Sequence, residues 1–321
     1  MRAVVFDGNK AEYREDWPRP VAAADEALIR VNLAALCSTD REVMRGYSAG
    51  FSGVMGHEFV GRVEQAADPL LVGRRVVGEI NLSCFSPDCL YCSTGRDHHC
   101  ENRSTLGIFN KDGCFADYLT LPTRLLHVLP DDMPDAVALF AEPLAAALRI
   151  VEQSHISPNQ PVAVVGDGRL AYLIVQVLAL VGAPLTVFGC NAEKLRLFEP
   201  FAVATRVVGK EAMTNTFEVV VDATGNPESL TLAMALTRAE GLLVMKSTYA
   251  GNAEINMSEV VVRELTIRGS RCGPFEPALR YLHCGLITLP PVETFAPRDF
   301  EAAFKSHAFK VSLTFQDDDK K

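Results

Sequence analysis

The run Pro161-Val-Ala-Val-Val165 ends on Gly166-Asp167-Gly168-Arg169-Leu170-Ala171 and passes at once into the apolar stretch Leu170 to Val181. No other feature limits the fold so strongly. A short, unbroken apolar run is of buried-strand type, and two glycines let it turn directly into a helix. A second apolar strand, Leu185 to Phe188, comes next. Phe217 to Asp222, Gly241 to Met245 and Leu265 to Gly269 repeat the signal, with helical segments between them. Alternating strand and helix means a parallel sheet with crossover helices, so the expected class is α/β.

Ahead of Ala136 the character differs. Ala3 to Phe6, Ala27 to Leu33 and Arg74 to Ile80 are β-prone runs separated by Gly, Pro and Asp, with few helical periods among them. Pro143 to Glu152 reads as a helix, with Pro143 suited to its first turn. Beyond Gly269 the prolines at Pro274, Pro277, Pro290, Pro291 and Pro297 read as a return to the first part. At 321 residues the chain has room for two domains.

The glycine loop matches G-x-G-x-x-A at the end of a strand and the start of a helix, which is the context a dinucleotide site requires. Gly166 makes the turn, Gly168 lets a pyrophosphate approach the backbone, and the helix start at Arg169 and Leu170 faces the phosphates. The bland alternative is a tight turn without a ligand. The second strand ends Gly189-Cys190-Asn191, with no acid to hold a ribose hydroxyl pair. Gly189 removes the repulsion such an acid would exert on a 2′-phosphate. Lys194 and Arg169 are candidate counter-charges, and Asn191 belongs to the same border. This favours NADP over NAD, although both basic residues could simply be solvated.

Cys84-x4-Cys89-x2-Cys92-x7-Cys100 places four thiols within seventeen residues. Four thiolates close a tetrahedral zinc site and leave no open position, so such a site folds a lobe and does not catalyse. The nine cysteines are an odd number in a chain whose start, Met1 to Phe6 and then Asp7, turns polar too soon for an export signal. Metal binding in a cytoplasmic protein is expected. A catalytic zinc needs three protein ligands and an open position. Cys37, His57 and Glu142 are candidates, each of which alone could be an ordinary core or helix-start residue. The net charge of -9 argues against nucleic-acid binding. The uncharged stretch Leu170 to Ala192 holds Gln176, Gly182, Pro184 and Asn191, which suit a helix, turn and strand better than a membrane span. The terminal run Gln316 to Lys321 reads as a charged tail.

Taken together these residues resemble the zinc-containing branch of the medium-chain dehydrogenase/reductase superfamily, the alcohol and polyol dehydrogenases. The likeness runs through Cys37-Ser-Thr39-Asp40, Gly56-His57-Glu58, the cysteine lobe and Asp112-Gly-Cys-Phe-Ala-Asp-Tyr118. It continues in Ala141-Glu142-Pro143-Leu144, the glycine loop, Val221-Asp-Ala-Thr-Gly225, Gly269-Ser-Arg271 and Phe300-Glu-Ala-Ala-Phe304. The resemblance implies a GroES-like, β-rich catalytic domain over residues 1–148 and 273–321, with the zinc lobe at 84–100, and a Rossmann domain over 149–272. It implies two zinc ions per chain, with Cys37, His57 and Glu142 on the catalytic one. Glu58 would stand beside that zinc or exchange with its water, and Thr39 would begin a proton relay. A glutamate as third ligand is more like the polyol, sugar and threonine dehydrogenases. The expected reaction moves a hydride between an alcohol carbon and NAD(P), on a small-molecule substrate, in a dimer or tetramer. The rivals are a zinc-free quinone or enoyl reductase of the same fold, or a cofactor-binding protein without turnover. Two departures stand out: the first cysteine gap is four residues where two is usual, and Glu42 stands where many relatives carry a relay histidine.

Overall fold

The computed structural model describes residues 1–48, 50–209, 214–249 and 251–316. The terminal run beyond Gln316 lies outside them. The chain divides into two compact units. The first comprises Met1–Glu142, Leu279–Cys284 and Leu289–Lys321, and the second Pro143–Ala278 and Gly285–Thr288. The cuts fall in the first turn of the helix Ala141–Gln153 and within the helix Phe275–His283. The sequence places them at 148/149 and 272/273.

The first unit is built on the ten-residue strand Glu26–Ala35, rich in Ile29, Val31 and Leu33. β-Branched and leucine side chains fit such a pleated, half-buried surface. One edge of this strand pairs antiparallel with Glu58–Gln65. The other edge is shared: Tyr118–Pro122 takes its first half and Lys310–Thr314 its last three residues. Arg75–Gly78, Leu126–Val128 and Val292–Phe295 complete a seven-stranded sheet. Phe115, Leu36, Met55 and Leu121 are among its fully buried side chains.

The second unit contains a six-stranded, wholly parallel sheet. Its order is Ala204–Val207, Leu185–Gly189, Val162–Val165, Phe217–Asp222, Thr237–Met245 and Thr266–Gly269. Numbered along the chain this is 3-2-1-4-5-6, the doubly wound dinucleotide-binding order. The helix Arg169–Val181 returns from the first strand and buries eight residues from Ala171 to Leu178. The expected α/β class, a β-rich unit with a Rossmann sheet, holds. Among the described residues no helix is long and apolar enough to cross a membrane.

Candidate functional site

The ladder between Glu26–Ala35 and Glu58–Gln65 sets Ala35 opposite Glu58. Cys37 lies two residues past one strand end and His57 one residue before the other strand begins, so both are delivered to the same end of the sheet. Gly56 makes the approach possible. Its φ is +89°, and an added Cβ would lie 2.3 Å from the ring of buried Phe115. Only glycine tolerates both conditions.

One donor atom each from Cys37, His57 and Glu58 lies within 4.8 Å of the others. His57 is 3% and Glu58 2% exposed. Asp40, with no exposure at all, supports the cluster from the helix Ser38–Met44. Its Oδ2 accepts the Cys37 amide at 2.8 Å, and its Oδ1 stands 3.3 Å from His57 Nδ1 without hydrogen-bond alignment. Burial disfavours charge on His57, but the Asp40 carboxylate and then Cys37 outweigh it, so the imidazole pKa stands well above its ordinary value. A carboxylate behind one ring nitrogen leaves the other as the metal donor, a common arrangement at histidine ligands. Thr39 is half-buried, and its Oγ1 accepts from Cys37 Sγ at 3.7 Å. Glu42, at the position after Thr39 where a relay histidine would stand, accepts from Arg45 Nη1 at 2.7 Å.

Glu58 is paired with Lys310, which begins the strand Lys310–Thr314. Both side chains are almost fully buried. The Lys310 Nζ also lies 5.2 Å from the Phe140 ring centroid. Glu142 is half-buried at the second position of the helix Ala141–Gln153 and stands outside the group formed by Cys37, His57 and Glu58. The fold thus brings together two of the three expected donors, with Glu58, adjacent to His57 in the chain, as the gathered carboxylate.

The four lobe cysteines form a second group, again with donor atoms within 4.8 Å of one another. Sγ separations are 3.5 Å for Cys84 and Cys100, 3.7 Å for Cys84 and Cys92, and 4.0 Å for Cys89 and Cys100. A tetrahedron of zinc–sulfur bonds has edges of about 3.8 Å, so the set fits zinc; it is far too open for disulfides. The longer first gap is absorbed by Phe85, at φ +51°, and by a turn in which Ser86 accepts the Cys89 amide. Arg124 covers the Phe85 ring at 4.5 Å. The Cys84 amide draws the Cys100 thiol down to about 7, and desolvation with its thiol neighbours pushes Cys92 up to about 12.

In the second unit Gly166 has φ +135°, and a Cβ there would meet the Ala223 carbonyl oxygen at 2.9 Å. Gly168 caps the helix Arg169–Val181 without a side chain. The helix start at Arg169 and Leu170 thus follows a residue with no capping side chain, the form an anion-binding helix start takes. Asn191 caps the short helix Ala192–Arg196, its Oδ1 accepting from the Glu193 and Lys194 amides. Lys194 is exposed.

Residues 23–131 match the alcohol dehydrogenase GroES-like domain, and residues 170–283 match the zinc-binding dehydrogenase family. The two matches follow one another in that order and together cover more than half of the chain. The chain belongs to the zinc-containing medium-chain dehydrogenase/reductase superfamily. It is 28% identical to an L-threonine 3-dehydrogenase of Xanthomonas euvesicatoria over 291 residues, 84% of either chain. It is 27% identical to an erythritol/L-threitol dehydrogenase of Mycolicibacterium smegmatis, covering 98% of this chain and 97% of that one. Among solved structures, a protein of Sinorhizobium meliloti described as a zinc-binding dehydrogenase, bound to NADP, superposes with a TM-score of 0.86 at 27% identity, covering 98% of both chains.

Three residues at these sites are not announced by the sequence motifs: Asp40, Lys310 and Asp167. Asp40 carried a signal, an acid three residues after Cys37 at a helix start, the spacing of a capping box. Lys310 carried only the oddity of a lysine opening an apolar strand. Asp167 lay inside the glycine motif at a position the motif leaves free.

Proposed function

We propose that this chain is a zinc-dependent, NAD(P)-linked oxidoreductase that interconverts an alcohol of secondary, polyol or sugar type and its carbonyl compound by hydride transfer. The observation that carries the reading is the mixed set of sulfur, imidazole and carboxylate donors at half-buried Cys37 and buried His57 and Glu58. A mixed set with Asp40 behind the imidazole is what an open catalytic zinc site needs, in contrast to the closed four-thiol lobe. Relatives named for threonine and for erythritol or threitol support a hydroxyl-bearing small molecule as substrate.

In this reading Cys37 and His57 hold the catalytic zinc with Glu142 as third donor, and Cys84, Cys89, Cys92 and Cys100 hold the structural one. Bound zinc supplies a Lewis acid that lowers the pKa of a hydroxyl. Asp40 fixes the His57 ring. Lys310 balances the charge of Glu58, which therefore stands by as an exchanging carboxylate. The Thr39 hydroxyl takes the substrate proton and hands it towards solvent. Gly166, Gly168 and the helix start at Arg169 and Leu170 receive the dinucleotide pyrophosphate, with Gly189, Asn191 and Lys194 at the adenosine end.

The working form is a homo-oligomer in the cytoplasm. Thr266–Gly269 is the last strand of its sheet, and Met257, Val261 and Val262 nearby in the chain are 60%, 70% and 81% exposed. An open strand edge beside exposed apolar side chains invites a second copy. The reduced, metal-spaced cysteines support a reducing compartment.

The deciding measurement is zinc per chain by elemental analysis. Native protein is expected to carry two, and Cys37→Ala or Glu142→Ala one. Loss on Glu58→Gln with retention on Glu142→Ala would transfer the third ligand role to Glu58. One zinc in native protein, unchanged by Cys37→Ala, would remove the catalytic metal and leave the zinc-free reductase.

A further inference from the structure

The strand Leu185–Gly189 ends without the acid that normally receives the adenosine ribose of NAD, and Gly189 looks from the sequence like room for a 2′-phosphate. That room is filled. A Cβ on Gly189 would lie 2.8 Å from Asp167 Cβ and 2.9 Å from its Oδ2. The carboxylate comes from the glycine loop after the neighbouring strand, where Asp167 sits between Gly166 and Gly168. Its Oδ2 accepts the amides of Cys190 and Asn191, each at 2.9 Å.

Two consecutive backbone amides past a strand end are natural donors for phosphate oxygens. Here both already hold an anion that belongs to the protein. The Asn191 Oδ1 is itself an acceptor, held by the amides of its own helix, and offers a phosphate oxygen nothing. A 2′-phosphate arriving beside Gly189 would meet a negative carboxylate and occupied donors. A free ribose hydroxyl pair would meet an acceptor. Position 189 and position 167 are complementary: the glycine at one leaves space for the acid at the other, and a strand-end aspartate would collide with Asp167.

Resting on the NAD(P)-linked reading above, we propose that Asp167 takes over the role of the missing strand-end acid and makes the chain prefer NAD(H) to NADP(H). Like charges a few ångströms apart at a half-exposed site are worth on the order of tenfold or more in binding. The same interaction must weaken as salt rises.

The test is equilibrium binding to the full-length zinc-loaded protein, with NADH and NADPH followed by fluorescence and adenosine 5′-monophosphate and adenosine 2′,5′-bisphosphate by calorimetry. Wild type is expected to bind NADH and the monophosphate at least about tenfold more tightly than their 2′-phosphorylated counterparts. Asp167→Asn keeps an oxygen for the two amides and removes the charge, and should shrink that ratio about tenfold, chiefly by tighter NADPH binding, most clearly at low salt. Wild type binding NADPH as tightly as NADH, or a ratio unchanged in Asp167→Asn, overturns the assignment. Binding of neither dinucleotide to wild type overturns the dinucleotide reading itself, and the role of Asp167 with it.

Discussion

Asp40 has no exposure, and its two oxygens have separate duties: one holds the Cys37 amide and the other faces His57. In metal-stripped protein the pair behaves as a buried ion pair whose imidazole pKa is raised. A raised pKa in the folded state means stability that is fully present below the unfolded histidine value, about 6.5, and is lost as pH climbs through the higher folded value. Asp40→Asn should therefore cost the chelator-treated protein about 3 kcal/mol in mildly acidic buffer, the range for breaking a buried pair. That difference should narrow as pH rises, in denaturant melts run across pH. A cost independent of pH would show that Asp40 acts only through the Cys37 amide. Cys37 and His57 stand out in the sequence because their motifs are contiguous, and the fold brings them together; the position of Asp40 against His57 depends on a helical turn meeting a strand register. Lys310 was hidden altogether, being 252 residues from Glu58.

At the scale of elements, the proposed structural zinc makes its clearest prediction in the lobe. Of residues 84–100 only Cys100 is fully buried, and the segment has two single-turn 3-10 helices, Cys92–Thr94 and Asp97–His99. Its side chains build no apolar core, so in the proposed reading four thiols holding an ion take that place. Cys92→Ser should lower zinc from two to one per chain and open this segment to proteolysis and amide exchange. NADH binding by the parallel-sheet unit should survive. Unaltered protection of 84–100 in that variant would mean that the lobe is held by its flanking ladder, Asn81–Leu82 with Ser104–Thr105. The cysteine spacing made this element readable, because ligand count and separation along the chain carry the chemistry. The strand-helix alternation was readable for a similar reason, since apolar runs such as Val162–Val165 and Phe217–Asp222 declare themselves. The β-prone run Ala27 to Leu33 marks the strand Glu26–Ala35, but nothing in it marks the divided edge. Pairing with Lys310–Thr314 is a long-range choice that no local pattern encodes.

At the scale of the molecule, the proposed assembly depends on the edge strand Thr266–Gly269 and the short helix Met257–Val262. A charge at Val262, which is 81% exposed, should leave the folded chain intact while weakening the contact between copies. Val262→Glu, alone and with Met257→Glu, is expected to shift light-scattering mass from dimer or tetramer towards 35.0 kDa at micromolar concentration. A mass that stays put in the double variant would place the interface elsewhere.

The pairing of Glu58 with Lys310 also has a consequence for synthesis. A ribosome adding roughly 5–20 residues per second must work for on the order of 10–50 s after Glu58 before Lys310 exists. Through that interval the first unit lacks the strand Lys310–Thr314 and the cation that neutralises a carboxylate destined for burial. Most of the second unit, from Pro143 to Ala278, is by then already complete in the emerging chain. The order of birth is thus the reverse of the order of numbering: the parallel-sheet unit can close first, and the unit that opens the chain must wait for its last strand.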